Sequence, residues 1–121
     1  MAAETKKKIE HFTDLNVWQK SHDLAVAIYS LSDKFSKKEI FGLTSQLRRA
    51  VVSISSNIAE GMGRYSYKDR VRFLFNSRGS LYETENLILL ANRFQYLNPN
   101  DFSHIQDAIS ETRKLLNGFI N

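Results

Sequence analysis

Two glutamates come nearest, by type and position, to the residues of a catalytic site. Glu60 lies near the end of one predicted helix, and Glu83 lies in the middle of the next. Paired carboxylates can act as general acid and base or bind a metal ion. They can instead pair with arginine inside a polar network that sets the register of two helices. We favour the network, because charged side chains are rarely buried unless they are paired; a binding site for a partner is the remaining alternative.

The predicted network joins the end of the second helix to the middle of the third. Residues three or four positions apart lie on the same face of a helix. The network members of each helix have this spacing and can therefore face the neighbouring helix together. The members are Asn57, Glu60, Gly61, Arg64, Ser80 and Glu83. Gly79 lies inside the same helix as Ser80, where glycine costs about 1 kcal/mol relative to alanine. Gly79 and Ser80 therefore predict a close approach of a neighbouring helix, with a ligand groove as the alternative.

Other chemistries lack the residues that they need. The chain has no cysteine, which excludes disulfides, thiolate zinc sites and cysteine nucleophiles. It has no Glu-x-x-His motif, and Asp101-x-x-His104 stands alone at a predicted helix start, where the helix dipole accounts for the aspartate. No nucleophile with its base and no phosphate-binding glycine loop is recognisable. We expect no enzymatic activity, no metal and no cofactor.

The positive charge of the chain is concentrated in its middle. Residues 36–72 hold eight Lys or Arg against three acidic residues, whereas the flanking segments are close to neutral. Arginine and lysine neutralise phosphates, and tyrosine stacks on unpaired bases. The candidate nucleic-acid-binding residues are Arg48, Arg49, Arg64, Tyr65, Tyr67, Lys68, Arg70 and Arg72. The alternatives are a solvated helix surface and, for Arg48 and Arg49, ion pairs at a protein interface.

Four helices are predicted to position these residues. Apolar residues recur every three or four positions, and only one proline and five glycines interrupt them. We predict a flexible basic tail (1–12) and one domain (13–121) with helices at about 14–35, 37–62, 67–95 and 99–119. Short connections favour an antiparallel up-down-up-down four-helix bundle. A three-helix bundle with a frayed terminus is the alternative.

Capping residues mark the predicted helix starts. Ser36 and Glu39 have the spacing of a capping box before the second helix, and Ser66 and Asp69 have a similar arrangement before the third. Asn98 precedes the only proline, as an N-cap precedes a first helical residue. The chain contains no run of about 18 apolar residues, the length that a membrane-spanning helix needs. We therefore expect a cytoplasmic protein without a membrane partner.

Four sequence elements carry a resemblance to a known family. They are Leu15-Asn16-Val17-Trp18, Phe41-Gly42-Leu43-Thr44-Ser45-Gln46-Leu47-Arg48-Arg49-Ala50, Ser53-Ile54-Ser55-Ser56-Asn57-Ile58-Ala59-Glu60-Gly61 and Gly79-Ser80-Leu81-Tyr82-Glu83. From about Phe12 to Leu97 the chain resembles the four-helix bundle proteins associated with 23S ribosomal RNA intervening sequences. It departs from the family pattern at Ser36, where proline is frequent, and at Arg78, where alanine is frequent.

The resemblance implies a bundle that assembles into a ring, typically a homopentamer, with no enzymatic activity. The chain is also similar to the accessory variability protein of diversity-generating retroelements, a basic pentamer that engages nucleic acid and a reverse transcriptase. The expected function is therefore that of a ring-forming assembly or accessory factor that binds RNA or DNA. The alternative is a protein scaffold or adaptor that binds another protein and has no nucleic-acid role.

Overall fold

The computed structural model describes residues 8–121, which form four long helices. The helices are α1 (Asn16–Ser32), α2 (Leu43–Met62), α3 (Tyr67–Arg93) and α4 (Pro99–Ile120). Two short 3₁₀ turns, Phe12–Asp14 and Lys37–Glu39, precede α1 and α2. Because no β-strand occurs within residues 8–121, the predicted all-α class is confirmed.

One apolar core lies between the four helices. α1 packs against α2 and α4, and α3 packs against the same two helices. Ile28, Ile54, Ile88 and Ile109, one from each helix, are fully buried in this core. Burial of such a side chain contributes roughly 1.5–3 kcal/mol. Each helix is therefore held mainly by its apolar stripe, which the three- and four-residue spacing of the sequence encodes.

The expected start of the second helix at residue 37 is wrong. Residues Lys37–Glu39 form a 3₁₀ turn, the Ser36 side chain caps nothing, and α2 begins only at Leu43. Gly42 interrupts the helix with φ −114° and ψ −112°. The Glu39 carboxylate accepts hydrogen bonds from the Leu43 N–H (3.3 Å) and the Tyr96 hydroxyl (2.8 Å) instead of closing a capping box.

The first helix is also shorter than the predicted 14–35. After Ser32 the backbone hydrogen bonds join residues three positions apart instead of four. They run from the Lys34 N–H to the Leu31 carbonyl (3.2 Å) and from the Phe35 N–H to the Ser32 carbonyl (3.1 Å). This tightening turns the Phe35 side chain into the core, where it is buried. The ends of α3 and α4 lie within two residues of the predicted ends, the ordinary uncertainty of a helix boundary.

The end of the predicted N-terminal tail belongs to the folded domain. Residues 1–7 of that tail lie outside the described residues. The His11 side chain accepts a hydrogen bond from the Thr13 N–H and so caps the first 3₁₀ turn. The Phe12 ring packs edge-on against Trp18, with 5.4 Å between the ring centroids. The domain therefore begins at about His11, because His11 caps the 3₁₀ turn and the Phe12 ring attaches that turn to α1.

A residue in the left-handed backbone conformation ends α3, and the chain changes direction there toward α4. Gln95 has φ 64°, and its N–H donates to the Asn92 carbonyl at 3.0 Å. The Tyr96 N–H donates to the Ala91 carbonyl at 3.0 Å. These two bonds form a Schellman motif, which satisfies carbonyl groups that the helix end leaves without partners. Asn98 then caps α4 and Pro99 is its first residue, as the Asn-Pro pair predicts.

Small hydroxyl side chains let α2 and α3 pack closely, and this pair makes the most extensive helix contact. The buried Ser77 hydroxyl donates to the Ile54 carbonyl across the contact at 2.8 Å. The Thr84 hydroxyl donates to the Ser80 carbonyl of its own helix, also at 2.8 Å. Within residues 8–121, every buried side-chain nitrogen and oxygen has a hydrogen-bond partner. Within the same range, none of the helices combines the length and the apolar character needed to cross a bilayer.

Candidate nucleic-acid interface

The connection between α2 and α3 is held tightly against the two helices that it joins. Gly61 is buried, and a Cβ atom there would lie only 3.1 Å from the Phe73 Cβ atom and 3.4 Å from the Arg70 carbonyl oxygen. Arg70 Nε donates to the Arg64 carbonyl oxygen at 2.7 Å, which closes the connection. The Ser66 hydroxyl accepts a hydrogen bond from the backbone N–H three residues later and begins α3. We call residues 64–72 the basic corner.

Two arginines of the basic corner flank one buried aromatic ring. The guanidinium carbons of Arg64 and Arg72 lie 4.6 and 4.9 Å from the centroid of the Phe73 ring, which is within cation–π range. Each guanidinium also approaches a carboxylate, Glu60 at 3.6 Å and Asp69 at 3.8 Å. The Arg64 and Arg72 side chains are still 45% and 63% exposed, so their charges remain accessible to a polyanion.

Three further side chains of the basic corner project into solvent. Tyr65 is fully exposed and Tyr67 is 75% exposed, and Lys68 is exposed beside them. Within residues 8–121, none of the three side chains forms a hydrogen bond, an ion pair or a ring contact. They are therefore free to contact a partner, in contrast to the partly engaged arginines.

The structure separates Arg48 and Arg49 from the basic corner. Arg48 Nη2 lies 2.8 Å from Asp33 Oδ1, and Arg48 Nε donates to the Ser32 hydroxyl at 2.9 Å. Its guanidinium also covers the Tyr29 ring at 4.7 Å, so Arg48 fastens α2 to the end of α1. Arg49 is exposed but lies about 20 Å from the end of α2, by the helical rise of 1.5 Å per residue.

A shallow groove beside α1 and α2 extends from the Arg48–Arg49 pair to Glu60, near the end of α2. Its volume is about 470 Å³, and its lining includes Arg49, Val52, Ser56 and Glu60. Glu60 is the ion-pair partner of Arg64, so the groove ends beside the basic corner. The eight predicted interface residues therefore divide into a compact cluster and an arginine pair at the far end of the groove.

Of the predicted buried network, only Asn57 and Ser80 come together, in a partly buried contact centred on Ser53. Asn57 Nδ2 donates to the Ser53 carbonyl (2.8 Å) and to the Ser53 hydroxyl (2.9 Å), and the Ser80 hydroxyl donates to the Ser53 hydroxyl at 2.9 Å. Glu60 and Glu83 are exposed and lie outside this contact; Glu60 forms the predicted ion pair with Arg64 at the surface, whereas Glu83 joins neither. Each lies two residues after a fully buried residue, which places it roughly 200° around its helix at 3.6 residues per turn.

The prediction that Gly79 permits close helix packing is wrong. Gly79 is exposed, and a Cβ atom added there would meet nothing within 4 Å. Ser77 and Ser80, on either side of it, are the residues that contact α2. Gly79 lies two positions after the fully buried Ser77 and therefore points away from the core. The residue with the close approach is Gly61.

The isolated Asp101-x-x-His104 motif lies at a helix start. The Asp101 N–H donates to Asn98 Oδ1 at 2.7 Å, and its carboxylate accepts from Asn98 Nδ2 at 3.2 Å. Lys34 Nζ lies 3.6 Å from the same carboxylate. Across residues 8–121, no three histidine, aspartate or glutamate side chains are grouped as a metal site would require. Asp101 thus acts at the cap of α4.

A carboxylate–tyrosine pair with perturbed pKa values lies at the other end of α2. The hydrogen bond from the Tyr96 hydroxyl is the largest cause that holds the pKa of Glu39 below its ordinary value, followed by the Leu43 N–H. The same hydrogen bond raises the pKa of Tyr96. This pair ties the turn before α2 to the segment after α3, so its role is structural.

Two residues that shape the site were not singled out from the sequence. Phe73 is the ring on which Arg64 and Arg72 lie, and Ser53 is the centre of the hydroxyl and amide network. The four-residue spacing of Ser53 and Asn57 was a usable indication of their contact. Nothing in the local sequence indicates that Phe73 approaches Gly61, because that contact depends on how α2 and α3 pack.

The fold and the basic corner define an all-α protein of four packed helices with a cationic, aromatic surface at one end. The sequence model of the 23S rRNA-intervening sequence proteins matches residues 13–118. The chain belongs to this family, as the resemblance of its motifs predicted.

A similar crystal structure supports the same fold. It is that of a protein of unknown function from the S23 ribosomal protein family of Bacteroides thetaiotaomicron, with 28% sequence identity and a TM-score of 0.77. The match covers 87% of this chain and 98% of the other. A search of curated proteins gave no match.

Proposed function

We propose that this protein is a non-enzymatic assembly or accessory factor that binds RNA or DNA through its basic corner. The observation that carries the proposal is the excess of accessible positive charge there. Residues 64–72 contain four Lys or Arg and one acidic residue. Phosphate contacts by such side chains release counterions and supply most of the sequence-independent affinity for nucleic acid. The family name associates these proteins with an intervening sequence of 23S rRNA, and the proposed function places this one in the cytoplasm with its nucleic-acid partner.

The accessible charges include Lys68, which has no partner within residues 8–121, and Arg72, which is 63% exposed. The exposed ion pairs of the corner are weak, since such pairs contribute about 0–1 kcal/mol. Phosphate can therefore replace Glu60 or Asp69 as the partner of an arginine at little cost. Arg48 is left out of the proposed interface, because its guanidinium is already bound to Asp33.

Salt-dependent binding tests the proposal. Anisotropy of a labelled structured RNA is measured against protein concentration at several salt concentrations, for the wild type and for the double variant Lys68→Gln, Arg72→Gln. We expect the variant to bind more weakly and the slope of log K against log salt to fall by roughly one to two units, because about 0.7–0.9 units are lost per phosphate contact.

The control variant is Lys37→Gln, Lys114→Gln, which removes the same charge from exposed positions outside the basic corner. It should keep the wild-type slope. An equal loss of slope in both variants would assign binding to net charge and not to the corner. Absence of binding at low salt would refute the nucleic-acid proposal.

A second candidate function, a protein scaffold with no nucleic-acid role, is favoured by an apolar stripe on α3. Phe75, Tyr82 and Leu89 are 46%, 50% and 43% exposed and recur at seven-residue intervals. Seven-residue spacing places side chains on one line along a helix, as in seams between packed helices. We call these three residues the α3 stripe. If structured RNA does not bind, this scaffold becomes the leading function.

We further propose an antiparallel up-down-up-down arrangement that assembles into a ring of identical chains, five by resemblance to the family. Contacts between Arg48, near the start of α2, and Ser32, at the end of α1, support the antiparallel order of these two helices. The α3 stripe supplies apolar surface for contacts between copies. A ring would repeat the basic corner around an axis and strengthen weak phosphate contacts by avidity.

A further inference from the structure

We propose that the basic corner binds single-stranded nucleic acid in preference to a duplex, with Tyr65 and Tyr67 stacking on unpaired bases. This inference rests on the proposed function and names the substrate class of the same site. The bound strand would place its bases on the two tyrosine rings and its phosphates near Lys68 and the guanidinium groups of Arg64 and Arg72.

The exposure of the two rings is the first observation. Tyrosine is a large amphipathic side chain whose burial contributes strongly to stability, yet Tyr65 is fully exposed and Tyr67 is 75% exposed. Tyr96, in contrast, donates its hydroxyl to Glu39, and Phe73 lies against two guanidinium groups. Both ring faces of Tyr65 are thus free of contacts with residues 8–121. Free aromatic faces are what unpaired bases stack on.

The backbone spacing of the two tyrosines is the second observation. Ser66 between them has an extended backbone, with φ −83° and ψ 142°. The Cα atoms of Tyr65 and Tyr67 are therefore at most about 7 Å apart. Successive nucleotides of a stacked strand rise roughly 3.4 Å, so this separation corresponds to about two base steps. One short segment of a single strand can contact both rings.

The rigidity of the corner is the third observation. The hydrogen bond from Arg70 to the Arg64 carbonyl and the close approach of Gly61 to Phe73 hold the backbone that carries the tyrosines. A surface that is already ordered loses less conformational entropy on binding. The cations lie on either side of the rings in sequence, with Arg64 before Tyr65 and Lys68 after Tyr67. This order alternates phosphate-binding and base-stacking groups, as in proteins that bind single strands.

A duplex should bind this surface more weakly than a single strand does. Its bases are stacked on each other and present only their edges in the grooves, so a tyrosine ring meets phosphate and sugar there. The arginines and Lys68 would still attract the duplex backbone. The structure therefore predicts electrostatic binding of both forms, with the stacking contribution confined to the single strand.

The test compares labelled oligo(U), oligo(dT) and an RNA duplex of the same length by anisotropy with the full chain. The variants are Tyr65→Leu, Tyr67→Leu and, as the matched control, Tyr65→Phe, Tyr67→Phe. We expect the wild type to prefer the single strands and the leucine variant to bind them at least about tenfold more weakly, with duplex binding unchanged. The phenylalanine control should retain wild-type affinity, because it keeps both rings.

The salt slope separates stacking from charge. The leucine variant should keep the wild-type slope, since no phosphate contact is removed. Unchanged affinity of the leucine variant for single strands, or equal wild-type affinity for strand and duplex, would overturn this inference and leave salt-dependent binding in place. Failure to bind any of the three probes at low salt would overturn the proposed function as well. A preference between oligo(U) and oligo(dT) would assign the single strand to RNA or DNA.

Discussion

The arginines of this protein differ in what their side chains already contact. Arg48 is hydrogen-bonded to Ser32 and paired with Asp33, so its charge is used within the fold. Arg64 lies on Phe73 and near Glu60 but remains 45% exposed. Arginine count alone therefore overstates the charge that is available to a partner.

A second residue-scale feature is the acid–tyrosine contact before α2. Because the Tyr96 hydroxyl donates to Glu39, the pKa of the glutamate is lowered in the folded state and the pKa of the tyrosine is raised. The ionised glutamate thus stabilises the fold at pH values above its unfolded pKa, and this contribution is lost as the pH falls through the folded value. The tyrosine contribution is present below its unfolded pKa and is lost at strongly alkaline pH.

We predict that Tyr96→Phe lowers stability at neutral pH and that its difference from the wild type shrinks as the pH falls from the unfolded pKa of Glu39 through its lowered folded pKa, because Glu39 becomes protonated in both proteins. The measurement is urea unfolding followed by far-UV circular dichroism across the acid range. Tyr82→Phe removes a hydroxyl that has no hydrogen bond within residues 8–121 and should follow the wild type at each pH. A pH-independent difference for Tyr96→Phe would contradict the assigned hydrogen bond.

At the scale of the helices, the α2–α3 contact gives each small residue its role. Ser53, Ser77 and Ser80 form hydrogen bonds at or across this contact, and Gly61 permits the approach of Phe73. Gly79 faces open solvent. The two glycines are alike as sequence features, since each lies inside a helix, but only one is constrained by packing.

We predict opposite effects of leucine at the two glycines. Gly61→Leu should destabilise the protein by about 1–3 kcal/mol, because the side chain must displace Phe73 and the start of α3. Gly79→Leu, the matched control, should stabilise it by up to about 1 kcal/mol through helix propensity alone. Chemical denaturation of both variants measures the difference, and a well-tolerated leucine at Gly61 would show that the helices separate there without cost.

At the scale of the whole molecule, the outer face of α3 exposes several large apolar side chains to water. The α3 stripe places three large apolar side chains in one line, and Gly79 lies between the first two. Apolar side chains aligned at seven-residue intervals are typical of the seams by which helices pack together. The stripe lies on α3 beyond the basic corner, so assembly through it and binding at the corner use different residues.

We predict that the wild type sediments at several times the chain mass of 14.0 kDa and that Tyr82→Lys shifts it toward the monomer with its helical content retained. A lysine in the centre of an apolar interface would be buried without a partner, which is costly. Tyr65→Lys, an equally drastic change at an exposed tyrosine outside the stripe, should leave the mass unchanged. A monodisperse wild-type monomer at micromolar concentration would refute the assembly proposal.

The amino-acid sequence by itself determined the all-α class, the four helices, the caps of α3 and α4 and the family. These features are local, because apolar periodicity and capping depend on residues within a few positions of each other. It also located the basic corner, whose residues are adjacent in the chain.

Only the tertiary structure decided which polar residues face a neighbouring helix. Glu60 and Glu83 face solvent, and Arg48 bonds to Asp33 at the end of α1. The glycine that lies against a neighbouring helix is Gly61 and not Gly79. The spacing of apolar residues shows that a helix has a buried face. Where the apolar stripe is broad, however, the spacing does not show which residues lie at the edges of that face. The rotation of each helix against its neighbours sets those limits, and that rotation depends on the packing of the whole core.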